Sequence, residues 1–514
     1  MIKHNRRNII FDNLLVIFVS FIVIIFARFY IHFDTDLLSA DDYIMSLYNP
    51  NTNINIFRGN SIYLKEGRFI THLTLLFDYL IANTSFVTGH ISTFLFVLQI
   101  VFVCLLSIRI LSYKRNSKWL IISVILLMGL HPNICQLLFY KYAIYIFSVT
   151  NVIILPILGV YFIEKFIKTH IRLYFIFGFL LTIYCLFIYQ TVIVLPISLL
   201  LAITLKESLL NDKKLLHKFL FRLSLIVSVL IGYLLIVKFT SYALDIKLEQ
   251  RTNFPSSIEQ VGEQLHHIIN LLKAHYFKDI GMQSIISKYL VLLVFLSAIS
   301  RLFYLKFLFN RHNNLSLLNY SNIIFLLCLF GLIFSSLFPG AYILGSTDFP
   351  RHYLFFYYHV MLITYLGFVG VTGSIFRIYN LFSGIIVLLL VINNNNVSVN
   401  QSLLVKRDLA LANRIVGHIE SMPNFRTKKI QFLGLKYYNS PYDLKPFTDF
   451  SNIHLSAFSR YDSSIRILQY VSGYKLNRCT NCNIYQLQKK YYNKPKYPNK
   501  GSIFIDEDVI FVKF

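Results

Sequence analysis

The sequence predicts an all-α polytopic membrane bundle of about eleven transmembrane helices, followed by a small α+β domain. Three observations predict this fold class. Hydrophobic residues make up 56% of the 514 residues and charged residues only 14%, against roughly 45–50% and 25% in a soluble domain. Apolar runs long enough to cross ~30 Å of hydrocarbon recur throughout the region before the Asn run at 393–396. Beyond that run the chain turns polar and basic, which divides it into a membrane region, 1–393, and a soluble region, 394–514.

The net charge of +25 would point a soluble chain towards nucleic acid. Here Lys and Arg crowd into alternate loops, as the positive-inside rule requires. The sequence shows no RNP-like, zinc-finger or Gly-rich phosphate motif. The expected partner of this charge is the lipid bilayer, and no nucleic-acid partner is expected.

The elements follow from hydropathy and charge. The N-terminal MIKHNRRN precedes an apolar run too long for a signal-peptide core, and no A-x-A cleavage site follows it. Helix one, 14–33, is therefore retained, with its basic flank in the cytoplasm. Helices two (91–111), three (119–138) and four (143–163) alternate across the bilayer. Five (172–189) and six (191–205) form a hairpin with Tyr189-Gln190 at its outer tip. Seven (219–239), eight (288–308), nine (321–338), ten (353–371) and eleven (375–392) complete the bundle. The alternation leaves loops 34–90, 240–286 and 339–352 outside, together with the C-terminus.

Two outer loops carry amphipathic stretches. Phe69, Leu73, Leu76, Phe77 and Leu80 share one helical stripe, as do Ile258, Val261, Leu265, Ile268 and Leu272 after a Ser256–Glu259 capping box. Both read as helices lying in the interface. The adjacent His266 and His267 point to different helix faces and read as solvated rather than metal-ligating. In the tail, Leu404, Leu411, Ile415 and Ile419 mark an amphipathic helix, KIQFLGL a strand, and GSIFIDEDVIFVKF a hairpin turning at Asp506-Glu507-Asp508. Cys104, Cys135, Cys185 and Cys328 lie in or beside apolar segments and read as packing residues. Cys479 and Cys482 form one C-x-x-C without further ligands at zinc spacing; a small disulfide and two free thiols are both open.

Chemistry points to the outer face. The first sizeable polar stretch, 34–69, holds the acidic pair Asp41-Asp42 and ends at Gly67-Arg68. The same face receives Lys141, Tyr189, Gln190 and Arg351. A carboxylate can take a proton from an acceptor hydroxyl, and Arg or Lys can stabilise charge on a departing phosphate. Those are the needs of sugar transfer from a polyprenyl phosphate. Each residue also has an ordinary reading, as a loop charge, a helix end or, for Arg351, a snorkelling cation.

The order of these motifs resembles the membrane glucosyltransferase II family that modifies O-antigen. The similar features are the double Asp after helix one, then Gly67-Arg68, and the stretch His131-Pro132-Asn133 to Leu138-Phe139-Tyr140-Lys141. Tyr189-Gln190 and Pro350-Arg351 continue the series. The chain departs from the family pattern at Gln136 and Ala143, where acidic residues flank the Tyr-Lys pair, and in lacking aromatic-Arg positions soon after the double Asp. The resemblance implies a GT-C-type, inverting enzyme of the bacterial inner membrane, with a periplasmic site and C-terminus. It implies an undecaprenyl-phosphate sugar, usually glucose, as donor and a glycan as acceptor. It implies Asp41 or Asp42 as base, and Arg68 and Arg351 beside the phosphate. The lipid-linked donor is a substrate, so no firm cofactor is expected, and divalent-metal dependence is left open. Two rival classes remain: an O-antigen polymerase or ligase, and a flippase or transporter of lipid-linked sugars. The latter would place functional charges inside the helices, whereas here nearly all charges are expected in loops.

Overall fold

The computed structural model of the protein describes residues 2–33, 68, 70, 71, 73, 88–112, 117–131, 134, 138, 146, 148–210, 212–245, 259, 262, 266, 285–312, 319–335, 355–435, 456–459, 461–479 and 482–514. The apolar runs form α1 (Ile2–Ala27), a short α2 (Phe29–Phe33), α3 (Thr88–Leu111), α4 (Lys118–Gly129), α5 (Leu155–Thr169) and α6 (Arg172–Tyr184). They continue in α7 (Val194–Leu209), α8 (Leu215–Ala243), α9 (Ile285–His312), α10 (Tyr320–Ser335), α11 (Phe356–Phe368) and α12 (Gly373–Glu420). Each of the eleven expected membrane segments therefore overlaps a described apolar helix, although the fourth, expected from 143, is overlapped by α5 only from Leu155. Six helical stretches are long and apolar enough to cross a bilayer, and four shorter apolar helices accompany them.

Several boundaries differ from expectation for local reasons. Helix one breaks at Arg28, between α1 and α2. The third expected helix ends early, at Gly129, just before His131-Pro132, because proline disfavours helical backbone in the residue preceding it. Helix eleven does not stop at 392: α12 runs 48 residues, straight through the Asn run. At ~1.5 Å per residue it is ~70 Å long, far more than a bilayer core needs. Of the expected interfacial helix at 69–80, only three residues are described. Leu73 is exposed, and Thr71, off the expected stripe, is buried with its hydroxyl donating to Ile188 O at 2.9 Å. Of the 258–272 stripe only Glu259, Gly262 and His266 are described, all helical and exposed; its apolar members and His267 lie outside the described residues.

Close backbone approach organises the bundle. A Cβ at Gly159 of α5 would lie 2.9 Å from Gly178 O of α6, and one at Gly178 would lie 3.0 Å from Gly159 O. Only glycine at both positions lets the two helices touch backbone to backbone, the small-residue packing favoured where lipid supplies no hydrophobic drive. Gly367 of α11 likewise abuts Ala298 of α9, where an added Cβ would sit 2.7 Å from the Ala298 Cβ.

The helices also bury charges, against the expectation that nearly all charges lie in loops. Arg222 of α8 donates Nε and Nη2 to the two carboxylate oxygens of Glu164 in α5, at 2.8 and 2.9 Å. Its Nη1 reaches Glu207 of α7 at 2.6 Å and Thr204 at 3.0 Å. Lys218 joins Glu207 to Asp212, and Lys306 donates to Ser208 O and Ser321 Oγ at 2.7 and 2.8 Å. These cations have partners supplied by neighbouring helices, which makes the network a staple between α5, α7 and α8.

At the C-terminal end a four-stranded sheet has the order β2-β1-β4-β3, from β1 (Lys429–Leu433), β2 (Asn477–Arg478), β3 (Ile503–Asp506) and β4 (Val509–Lys513). The expected strand is β1, and the expected hairpin is the antiparallel β3–β4 pair, turning at Glu507 with φ of 52°. Helices α13 (Tyr461–Ser472) and α14 (Ile484–Lys490) accompany the sheet. Leu411, Ile415 and Ile419 of α12 pack with Ile430 and Phe432 of β1 in this second core, while Val397 and Val405 belong to the bundle core. One helix thus serves both. Cys479 and Cys482 are joined in a disulfide, and Cys104, Cys185 and Cys328 are buried and free; Cys135 lies outside the described residues.

Candidate active site

The hairpin α6–α7 is broken where its tip was expected. Cys185–Phe187 and Gln190–Ile193 are single 3-10 turns, and Tyr189 between them is extended, at φ −153° and ψ 104°. Pro196, in the first turn of α7, has no N–H to give to Val192 O, so regular helix starts only there. The break turns the side chains of Tyr189 and Gln190 out of the helical stack.

Arg68 meets them. Its Nε donates to Gln190 Oε1 at 3.2 Å, and its guanidinium carbon lies 4.8 Å from the centre of the Tyr189 ring. Gln190 Nε2 in turn donates to Tyr233 OH of α8 at 3.0 Å. Tyr233 is 2% exposed and packs on Phe187, ring centres 5.3 Å apart. With its amide nitrogen committed to Tyr233, Gln190 can offer only its oxygen to Arg68. The Tyr189 ring and the Gln190 amide together hold the guanidinium, a group whose chemistry suits a phosphate or carboxylate. Arg68 and the adjacent pair Tyr189-Gln190, distant from it in sequence, therefore form one centre. Tyr233 was not legible as a site residue, since it sits within an apolar run of α8.

A second polar cluster lies where α1 breaks. Arg28 is fully buried; its Nε donates to Asn394 Oδ1 of α12 at 2.7 Å and its Nη2 to His131 O at 3.3 Å. Asn394 Nδ2 also donates to Leu130 O at 2.6 Å. The His131 ring lies 3.7 Å from that of Tyr357 in α11, centre to centre. Ile31 N donates to Ser398 Oγ at 3.0 Å, and His32 Nδ1 is 3.0 Å from Thr93 Oγ1. Arg28 and Asn394 escaped sequence reading, one as a lone cation in an apolar run and the other as part of a polar run.

Asp41, Asp42, Lys141 and Arg351 lie outside the described residues. Among the described residues, no group of three or more His, Cys, Asp or Glu is placed to hold a metal ion.

Long apolar helices of this kind are compatible with a multi-pass membrane protein. Residues 43–372 match the family Glucosyl transferase GtrII, and the chain belongs to that glucosyltransferase family. The match takes in Arg68, Lys141, Tyr189, Gln190, Tyr233 and Arg351, begins immediately after Asp42, and ends at the start of α12. No curated relative and no solved structure matches the chain.

Proposed function

We propose that the protein is a GT-C-type membrane glucosyltransferase that moves glucose from a polyprenyl phosphate to a cell-surface glycan such as O-antigen. The reaction takes place on the periplasmic face of the inner membrane. The observation that carries this reading is the Arg68–Gln190–Tyr189 centre, which unites two separate motifs inside the family match.

Asp41 or Asp42 takes the proton of an acceptor hydroxyl as its oxygen attacks the anomeric carbon. The bond from that carbon to the phosphate oxygen breaks, and its electron pair leaves with the phosphate. Attack on the face opposite the phosphate inverts the anomeric centre in one step. Arg68 and Arg351 offset the charge growing on the departing phosphate, and Lys141 contributes a further cation on that side. Tyr189 and Gln190 keep Arg68 aimed.

The rival flippase reading predicts functional charges inside the helices. Arg222 and Lys306 do lie buried inside helices, bonded to neighbouring elements, so the glucosyltransferase family match, rather than charge placement, favours transfer chemistry. Mass spectrometry of surface glycans from a deletion strain tests the proposal. Loss of one glucose residue with an intact polymer is expected; an unchanged sugar pattern with lost polymer would support the polymerase or ligase class.

A further inference from the structure

The Asn run at 393–396 is a sequence feature that the proposed chemistry does not use, and its residues differ sharply. Asn394 is buried at 1% exposure, while Asn395 and Asn396 face outward. Asn394 occupies the inward face of α12 and spends its amide on two other parts of the chain, the Arg28 guanidinium and Leu130 O at the end of α4. One turn further on, Ser398 accepts from Ile31 N at 3.0 Å.

The chain ends that meet here are the ones from which the proposed site residues depart. Residues Arg28 to Phe33 lead directly into the stretch bearing Asp41 and Asp42. His131 opens the His-Pro-Asn stretch that leads to Lys141, and Tyr357, whose ring lies tilted against that of His131, follows Arg351 by a few residues. Arg28 bonds the first end to the second through His131 O, and Asn394 ties both to α12. A buried network of this kind fixes geometry because its groups cannot exchange their bonds for water.

We propose that Asn394, with Arg28, is a positioning clamp for sugar transfer. It holds together the roots of the segments that supply the base and the phosphate-side cations, although both residues fall outside the stretch that matches the family. The clamp touches neither donor nor acceptor and acts through the segments it anchors. The proposal rests on the function given above. Displacing a catalytic group by about 1 Å costs on the order of 10²-fold in rate. The clamp shares no residue with the Arg68–Gln190–Tyr233 centre, so its loss should lower kcat while the Arg68 contact with the donor stays in place.

The test uses the full chain in detergent, radiolabelled polyprenyl-phosphate glucose as donor and the surface glycan of the native strain as acceptor. Asn394→Ala should lower kcat about 10- to 100-fold, and Asn395→Ala and Asn396→Ala should behave as wild type. Because Asn394→Ala leaves a buried guanidinium short of an acceptor, the paired change Arg28→Met with Asn394→Leu is measured beside it. That pair removes the guanidinium and the amide together, so no buried charge is left short of an acceptor, and it should be more stable than Asn394→Ala while kcat stays low. Wild-type kcat in the stable pair, or equal losses at all three Asn positions, would overturn the clamp. Asp41→Asn and Asp42→Asn run in parallel separate the two readings. If they leave transfer intact, the proposed chemistry fails; if they abolish it while Asn394→Ala keeps full kcat, only the clamp fails.

Discussion

Replacing Gln190 by Ala removes one hydrogen bond on each side of a three-residue chain. Arg68 loses the acceptor at 3.2 Å from its Nε, and Tyr233 loses the donor at 3.0 Å from its hydroxyl. A hydrogen bond to a charged group is worth about 1.5–3 kcal/mol. If that stabilisation is realised in holding Arg68 against the donor phosphate, affinity falls roughly 10- to 150-fold, since each 1.4 kcal/mol is tenfold. The stacking of Arg68 on Tyr189 survives this change and contributes about 0.5–1 kcal/mol at a partly exposed site. Tyr189→Leu alone should therefore cost only about two- to fivefold. The assay is the KM for polyprenyl-phosphate glucose in the purified full-length protein, with kcat followed alongside. Tyr233→Phe keeps the packing on Phe187 and should weaken donor use in the wild-type background, but not in Gln190→Ala. Wild-type donor KM in Gln190→Ala, or an equal effect of Tyr233→Phe in both backgrounds, would refute the reasoning.

Three further outcomes follow from the packing and the charges. Gly159→Leu or Gly178→Leu should drive α5 from α6, costing about 1–3 kcal/mol through overpacking and lowering the melting temperature; an unchanged melting curve would contradict the close contact seen at these glycines. Arg222→Met leaves Glu164 and Glu207 as buried carboxylates without their guanidinium, a loss of about 3–5 kcal/mol that should appear as poor recovery of folded protein from membranes. In the C-terminal region, hydrogen bonds from Lys490 and Tyr491 hold the Asp506 carboxyl below its ordinary range. A depressed folded value means this contribution is complete above the unfolded value of about 3.9 and fades as pH falls through the folded one. Thermal unfolding followed down to pH 3 should accordingly show an acid-sensitive component that Asp506→Asn lacks.

Much of the bundle could be read from hydropathy because lipid demands long apolar runs. The β3–β4 hairpin was equally legible, since two β-rich runs flank an acidic turn. Continuity of α12 was not. Its buried face reads Leu390, Asn394, Val397, Ser398, Gln401, Val405 and Asp408, a helical repeat in position that is broken in polarity. Asn394 is satisfied by Arg28 and Leu130 O, and Asp408 by Ser456 Oγ and Ala457 N. Those partners are distant in sequence, so a polar run looks like a boundary until they are seen. The candidate site divides in the same way. Tyr189-Gln190 stood out because polar residues interrupt an apolar hairpin, and Arg68 because it closes a polar stretch. Tyr233 and Arg28 lie inside apolar runs, where their importance comes only from what they touch.

The acidic pair remains the centre of the account. A positioned base contributes typically about 10²–10⁴-fold to proton transfer from a hydroxyl. Asp→Asn keeps shape and hydrogen bonding but removes the proton acceptor. The decisive measurement is glucose transfer by Asp41→Asn, Asp42→Asn and the double variant, with Asp34→Asn and Asp36→Asn as controls and equal amounts of protein in the membrane. Loss of transfer in the double variant and in at least one single variant, with active controls, is the predicted result. Transfer at the wild-type rate by the double variant would contradict the account.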